Sequence, residues 1–276
     1  MKVKRILVGL GGTDYTPVAI RHAIELSQHH RAEITGVTIM DESRVLDVGP
    51  VPVGGAHAAR ALQEHRLEVS RQSVQEALGL FQESCERQQV PFRVHQESGE
   101  SFALMSNLAR YHDLMIFGLR SIFDSGLGLD PQDTLARLVR AGVRPLIAVS
   151  REYRPIRRAL LAYSGSPESA KTIKRFVQSQ LWPDVELRLL ACARSAGDTR
   201  ALLAEMSAYC RAHGYEPETE ASDALPNMRI LATAQECNAD LIVLGNGARS
   251  LWLNRVLGST SLHVIQNAGR PLYLAQ

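Results

Sequence analysis

The chain has 276 residues, of which 45% are hydrophobic and 22% are charged, and this is the composition of a globular protein long enough for two domains. The formal net charge of +2 gives no electrostatic reason to expect a nucleic acid or an anionic membrane as a partner. The sequence has no run of 18 apolar residues, and its first segment predicts a strand and no signal peptide. We therefore expect a cytoplasmic protein without a membrane span.

Cysteine and histidine spacing argues against a metal centre. The four cysteines are scattered and form no Cys-x-x-Cys pair, so the sequence predicts neither a zinc site nor a disulfide framework. The nine histidines form no His-x-x-x-His motif and no set with acidic residues. We predict no metal ligand and no catalytic residue.

Apolar periodicity predicts alternating strands and helices in the first part of the chain. A proline- and glycine-rich stretch at 48–55 indicates a loop, which precedes an unusually long helix. The predicted strands are 5–10, 33–40, 91–96, 114–118 and 145–149, and the helices begin after Thr13 and cover roughly 57–89 and 101–111.

The same order recurs in the second part of the chain. A fourth helix is expected directly after Gly258. The predicted strands are 158–162, 185–191, 216–221, 241–244 and 271–274, and the other helices are about 168–180, 198–213 and 226–238.

Two pairs of motifs indicate a tandem duplication. Asp113-Leu-Met-Ile-Phe-Gly118 matches Asp240-Leu-Ile-Val-Leu-Gly245, and Arg144-Pro145-Leu146 matches Arg270-Pro271-Leu272. Gly118 to Pro145 is 27 positions and Gly245 to Pro271 is 26, so both motifs repeat at nearly equal spacing. We predict two domains, 1–150 and 151–276, each an α/β fold with an open parallel sheet and helices on both faces.

A glycine turn near the C-terminus is suited to an anion. The apolar strand 241–244 runs into Gly245, and Gly258-Ser259-Thr260 begins the helix that follows. Glycines let backbone N–H groups approach a phosphate closely, and hydroxyls at a helix N-terminus add donors where the helix dipole is positive. An ordinary loop without a ligand is the alternative interpretation of this segment.

These features together resemble the universal stress protein family in its tandem two-domain form. Nucleotide-binding members carry Gly-x-x-Gly, nine residues, then Gly-Ser or Gly-Thr, and this chain has Gly245-x-x-Ala248, nine residues, then Gly258-Ser259. The family's Asp-Gly-Ser triplet corresponds to 11–13 and 164–166. The resemblance implies two five-stranded sheets of the adenine-nucleotide α-hydrolase-like type, with terminal strands that pair between the domains.

The resemblance also implies a ligand, ATP with or without Mg²⁺, in the second domain. Ala162 and Ser164 would stand beside the nucleoside and Cys192 at the adenine edge. The remaining family positions fall at the end of the fourth strand and around the phosphates, on Leu244, Gly245, Ala248, Gly258, Ser259 and Thr260.

Three departures from the family pattern bear on this site. Ser164 replaces the usual aspartate, and Ala248 replaces a glycine, which costs about 1 kcal/mol if that backbone needs a positive φ. In the first domain, Gln132-Asp133 stands where the second has Gly258-Ser259. A carboxylate there repels phosphate, so we predict that the first domain does not bind a triphosphate.

The resemblance implies a non-enzymatic stress-response protein that acts by ligand-linked signalling or protection. A nucleotide-free interaction or scaffold module of the same fold is the alternative, and an enzyme of the wider nucleotide-binding group is a third. As partners we expect an adenine nucleotide and an intramolecular pseudo-dimer, with a homodimer of the whole chain left open.

Overall fold

The computed structural model describes residues 2–40, 46, 48–98, 101–119, 145–192, 196–245 and 259–275. The strands are β1 (Arg5–Gly9), β2 (Glu33–Met40), β3 (Phe92–Ser98), β4 (Leu114–Gly118), β5 (Leu146–Val149), β6 (Arg158–Tyr163), β7 (Glu186–Cys192), β8 (Glu218–Ser222), β9 (Leu241–Gly245) and β10 (Leu272–Ala275). The helices are α1 (Thr16–His30), α2 (Ala56–Arg87), α3 (Ser101–Ala109), α4 (Pro167–Ser179), α5 (Ala196–Ala212), α6 (Pro226–Glu236) and α7 (Ser259–Asn267).

All ten strands belong to one sheet, in the order β3-β2-β1-β4-β5-β10-β9-β6-β7-β8. Neighbouring strands are parallel except for β5 and β10, which pair in antiparallel fashion with Leu272 opposite Ala148 and Leu274 opposite Leu146. The N-terminal half (β1–β5) and the C-terminal half (β6–β10) therefore repeat one strand order and meet at their last strands. The predicted fold class, including the pairing of terminal strands, is confirmed.

Matching contacts in the two halves make the duplication visible. The Asp113 carboxylate accepts the backbone N–H groups of Lys4 (3.0 Å) and Arg5 (3.2 Å) at the start of β1. The Asp240 carboxylate accepts those of Arg157 and Arg158 (both 3.0 Å) at the start of β6. Each aspartate of the repeated motif thus satisfies donors that the first strand of its half leaves unpaired.

Burial explains the composition of the strands. Every residue of β4, β5 and β10 is buried, because parallel strands covered by helices on both faces need apolar side chains throughout. The outermost strand β8 is mostly exposed and carries glutamates, and charged edge strands of this kind oppose pairing with other chains.

The two halves differ most in the helix that follows the second strand. Helix α2 has 32 residues and α5 has 17, so the extra length lies where the sequence predicts it. The fully buried residues of α2 all belong to its C-terminal part, Ala77, Leu78, Phe81, Ser84 and Cys85. Among the described residues, no helix combines the length and the apolar character needed to cross a bilayer.

Helix α1 of the N-terminal half also contacts the C-terminal half and the segment that joins β5 to β6. The buried His30 ring donates from Nε2 to the Leu181 carbonyl (3.3 Å), in the turn after α4. The Tyr153 hydroxyl donates to Glu25 Oε2 (3.0 Å), and the Arg21 guanidinium lies 3.5 Å from the centre of the Tyr153 ring. These contacts add to the β5–β10 pairing and fix α1 against the rest of the chain.

Helix α4 is positioned by a close approach to β9. A methyl group built on Gly245 would lie 2.4 Å from Cα and 2.9 Å from the backbone nitrogen of Ser169. Only a residue without Cβ can therefore stand at this point of β9 unless the backbone shifts.

We predict that acidification lowers the stability of the fold through His30. Burial lowers the pKa of His30 because it penalises the charged ring, the hydrogen bond to the Leu181 carbonyl partly opposes this shift, and the charges of His29, Lys2 and Lys4 add to it. The unfolded chain therefore takes up a proton first, and this contribution to stability is complete above about pH 6.5 and is lost as the pH falls below that value. Unfolding midpoints measured from pH 7.5 to pH 5 should fall less in His30→Gln, which keeps an N–H donor, than in wild type. The exposed His57→Gln serves as control, and equal pH profiles of His30→Gln and wild type would contradict the prediction.

We predict that Gly245→Ala lowers the free energy of unfolding by about 1–3 kcal/mol, the usual effect of extra volume in a packed region. Gly269→Ala is the matched control, since a methyl group there meets no atom within 4 Å. Urea titration gives the free energy of unfolding of both variants. Equal values for Gly245→Ala and Gly269→Ala would contradict the close approach of β9 to α4.

Candidate functional site

The candidate site lies where the carboxyl ends of β6, β7 and β9 meet. Ala162 of β6 stands opposite Leu244 of β9, and β7 on the other side of β6 ends at Cys192. The chain leaves β6 for β7 on one side and reaches β9 on the other, so this is the point at which the strand order reverses. Open α/β sheets bind their ligands at such a point. We call this region, with the first turns of α4 and α7, the β6/β9 edge.

A cluster of three serine hydroxyls occupies the turn from β6 into α4. The Ser164 hydroxyl lies 3.1 Å from that of Ser166 and 3.0 Å from that of Ser169. Ser166 is the N-cap of α4, and its Oγ accepts the backbone N–H of Ser169 (3.2 Å). The residue that replaces the family's aspartate is therefore part of a neutral hydroxyl cluster at the positive end of a helix.

Helix α7 joins the same edge. The Ser261 hydroxyl donates to the Gly245 carbonyl (3.2 Å), which places the first turn of α7 against the last residue of β9. Ser259 is exposed and Thr260 is half-buried in that turn. Two helix N-termini, those of α4 and α7, thus flank the end of β9.

The structure brings together seven of the nine residues predicted for the site. Ala162, Ser164, Leu244 and Gly245 lie on β6, β9 or the turn after β6, Cys192 ends β7, and Ser259 and Thr260 begin α7. Leu244 is only 2% exposed, so its side chain belongs to the core of the sheet. Ala248 and Gly258 lie outside the described residues, as do Gln132 and Asp133.

Cys192 is suited to a neutral contact. Its side chain is half-buried, and burial raises the pKa of the thiol, an effect that the Arg229 charge partly opposes. The thiol is therefore protonated at neutral pH and brings no charge to the edge.

The described part of the chain offers no metal centre. No group of three or more His, Cys, Asp or Glu side chains among those residues is arranged to hold a metal ion. Mg²⁺ therefore gains no support from the described side chains.

The equivalent edge of the N-terminal half is filled by its own side chains and backbone. Gly9 aligns with Ala162, and a methyl group built on it would lie 2.1 Å from the Phe117 ring, which is itself 5% exposed. Gly12 aligns with Gly165, and a methyl group there would lie 2.9 Å from the Ser73 carbonyl oxygen of α2. The sequence analysis did not identify Phe117 or Ser73 as residues of this edge. Phe117 could have been noticed, because the repeat alignment places this large aromatic residue at the position of Leu244.

An open cleft of about 750 Å³ lies at the amino ends of β6 and β7, away from the β6/β9 edge. Four of its charged side chains form ion pairs, Arg158 with Glu186 (2.9 Å) and Arg188 with Glu218. The cleft lies at the opposite end of these strands from the residues predicted for the site, so the candidate site is the β6/β9 edge.

Comparison with known proteins supports the resemblance. The model of the universal stress protein family matches residues 2–121 and 193–275. A universal stress protein from Synechocystis is 23% identical over 186 residues, which cover 65% of this chain and 63% of the relative, less than two thirds of its length.

Solved structures show the same fold over the whole chain. A universal stress protein from Archaeoglobus fulgidus aligns with a TM-score of 0.64 at 18% identity, covering 99% of this chain and 96% of its own. A Pseudomonas aeruginosa protein of unknown function aligns with a TM-score of 0.64 at 15% identity, covering 99% and 92%. The family model spans most of the sequence and the tandem arrangement fits, so the chain belongs to the universal stress protein family, whose members are in general non-enzymatic stress-response proteins.

Proposed function

We propose that this stress-response protein binds ATP at the β6/β9 edge and acts as a ligand-linked signalling or protective protein in the cytoplasm. In this proposal residues 151–276 form the nucleotide-binding domain and residues 1–150 a domain with a degenerate site. The observation that carries the proposal is the meeting of Gly245, the serine cluster of α4 and the first turn of α7 at the point where the strand order reverses.

The phosphates are the part of ATP that this edge suits best. The N-termini of α4 and α7 contribute positive dipole ends, and the hydroxyls of Ser259 and Thr260 would add donors. Ser164 carries no charge, so the acidic partner that the family's aspartate supplies near the nucleoside or a metal is lost in this chain.

The nucleoside would lie farther along the edge, beside Ala162 and Cys192. Both residues are half-buried members of adjacent strands; Ala162 is the last residue of β6 paired with β9, and Cys192 is the last residue of β7, paired with Ser222 of β8. Backbone groups at a strand end can read the hydrogen-bonding edge of a base without a charged side chain. No proton transfer or metal step is assigned, and hydrolysis of ATP is not part of the proposal.

The N-terminal half supports the one-site assignment through sterics and charge. The Phe117 ring and the Ser73 backbone occupy the room next to Gly9 and Gly12. Asp133 adds a carboxylate at the position that aligns with Ser259. A triphosphate would meet both obstacles, so we expect one nucleotide per chain.

Signalling would follow from linkage. A ligand that binds only the folded state stabilises it by RT ln(1 + [L]/Kd), about 2.7 kcal/mol at a hundredfold excess over Kd. ATP would connect β6, β9 and α7, and any partner that distinguishes the connected state would respond to it. In the same proposal the β5–β10 pairing makes the chain an intramolecular pseudo-dimer, and a homodimer of the whole chain would be a second level of assembly.

A nucleotide-free scaffold is the second candidate. The observation that favours it is the serine cluster itself, in which Ser164, Ser166 and Ser169 satisfy one another without a ligand. Protein purified without added nucleotide distinguishes the two candidates, because a bound adenine nucleotide released on denaturation and identified by chromatography is expected only for the first.

We predict that Gly258→Asp weakens ATP binding by roughly 10- to 100-fold relative to wild type. The new carboxylate stands one position before Ser259, which aligns with Asp133 of the N-terminal half, and two like charges about 4 Å apart repel by up to about 4 kcal/mol near a protein surface. Calorimetric titration of full-length protein measures the effect.

Gly269→Asp is the matched control, because it makes the same change in the same half at a position where a side chain meets open space. Its affinity should equal that of wild type. Equal affinities of wild type, Gly258→Asp and Gly269→Asp for ATP would contradict the placement of Gly258 at the phosphates. A wild-type protein that binds no ATP would contradict the proposed function.

A further inference from the structure

The turn that carries the serine cluster is covered by helix α5. Gly165 adopts a positive φ of 74°, and a methyl group built on it would lie 2.9 Å from Cδ1 and 3.3 Å from Cδ2 of Leu202. The branched end of one side chain therefore fills the space between α5 and this turn.

The N-terminal half closes the equivalent space in another way. Gly12 adopts a positive φ of 64°, and a methyl group there would meet Cβ, the carbonyl oxygen and the carbonyl carbon of Ser73 at 2.8–3.0 Å. The neighbour is the helix backbone itself. Backbone atoms of a long helix cannot withdraw, whereas the end of a leucine side chain can rotate or be shortened without moving the helix.

The position of Leu202 relates it to the nucleoside part of the proposed site. It is half-buried, beside the inward-facing Leu203 and Met206, so it lies at the margin of the apolar core. It contacts Gly165, which follows Ser164, and its helix is the one that follows Cys192. Leu202 thus lies against the turn that carries Ser164, one of the residues that the resemblance assigns to the nucleoside.

We propose that Leu202 is a specificity-determining residue, the apolar wall beside the nucleoside, and that its size limits which adenine nucleotides enter the β6/β9 edge. This inference rests on the proposed function, since it concerns the same site. It concerns a point at which the two halves differ, since the turns adopt the same conformation but Gly12 lies against helix backbone and Gly165 against the end of a side chain.

Paired affinities of ATP and of an ATP analogue with a bulky aromatic group on the ribose hydroxyls test the proposal on the full-length protein. In Leu202→Ala the ratio of the analogue's Kd to that of ATP should fall at least tenfold from its wild-type value, because the space opened by the shorter side chain admits the aromatic group. In Leu202→Phe both ligands should bind at least tenfold more weakly.

Leu80→Ala and Leu80→Phe are the matched controls, on an exposed position of α2. Both should keep the wild-type ratio. An unchanged ratio in Leu202→Ala, with ATP still bound, overturns the role of Leu202 and leaves the proposed function intact. Failure of wild type to bind ATP overturns both. If Leu202→Phe fails to fold, the ratio in Leu202→Ala still decides.

Discussion

The antiparallel pairing of β5 with β10 is the interaction on which the rest of the molecule depends. Both strands are short and wholly apolar, and each would present an uncovered apolar edge if its half stood alone. Their pairing leaves β3 and the polar strand β8 as the outer edges of a single sheet. The contacts of His30 and Tyr153 around α1 reinforce a join that the backbone hydrogen bonds of these strands already define.

Duplication followed by divergence accounts for the asymmetry of the two halves. The framework has been retained. Asp113 and Asp240 both accept backbone N–H groups at the start of the first strand of their half, and Gly12 and Gly165 both adopt a positive φ. The carboxyl edges have changed. Phe117 stands where the other half has Leu244, and the Ser73 backbone stands where it has the Leu202 side chain. One framework thus carries one edge filled by its own atoms and one edge lined by hydroxyls and helix N-termini.

Much of the fold could be predicted from the sequence because its signals are local. Apolar strands, proline and glycine breaks and the repeated Asp-Leu-x-x-x-Gly motif place nearly every element within a few residues. The site was predicted less completely, since its decisive contacts join residues that are distant in the chain. The Gly245–Ser169 approach and the Phe117–Gly9 contact depend on how strands and helices pack, and no residue spacing along the chain encodes them.

Hydrogen–deuterium exchange of the full-length protein with and without ATP tests the central claim most directly, because it shows which edge receives the ligand. The account predicts slower exchange on ATP addition in 162–166, 241–245 and 259–261, and unchanged exchange in 9–13 and 114–118. Protection confined to the N-terminal segments, or no protection at saturating ATP, would contradict it.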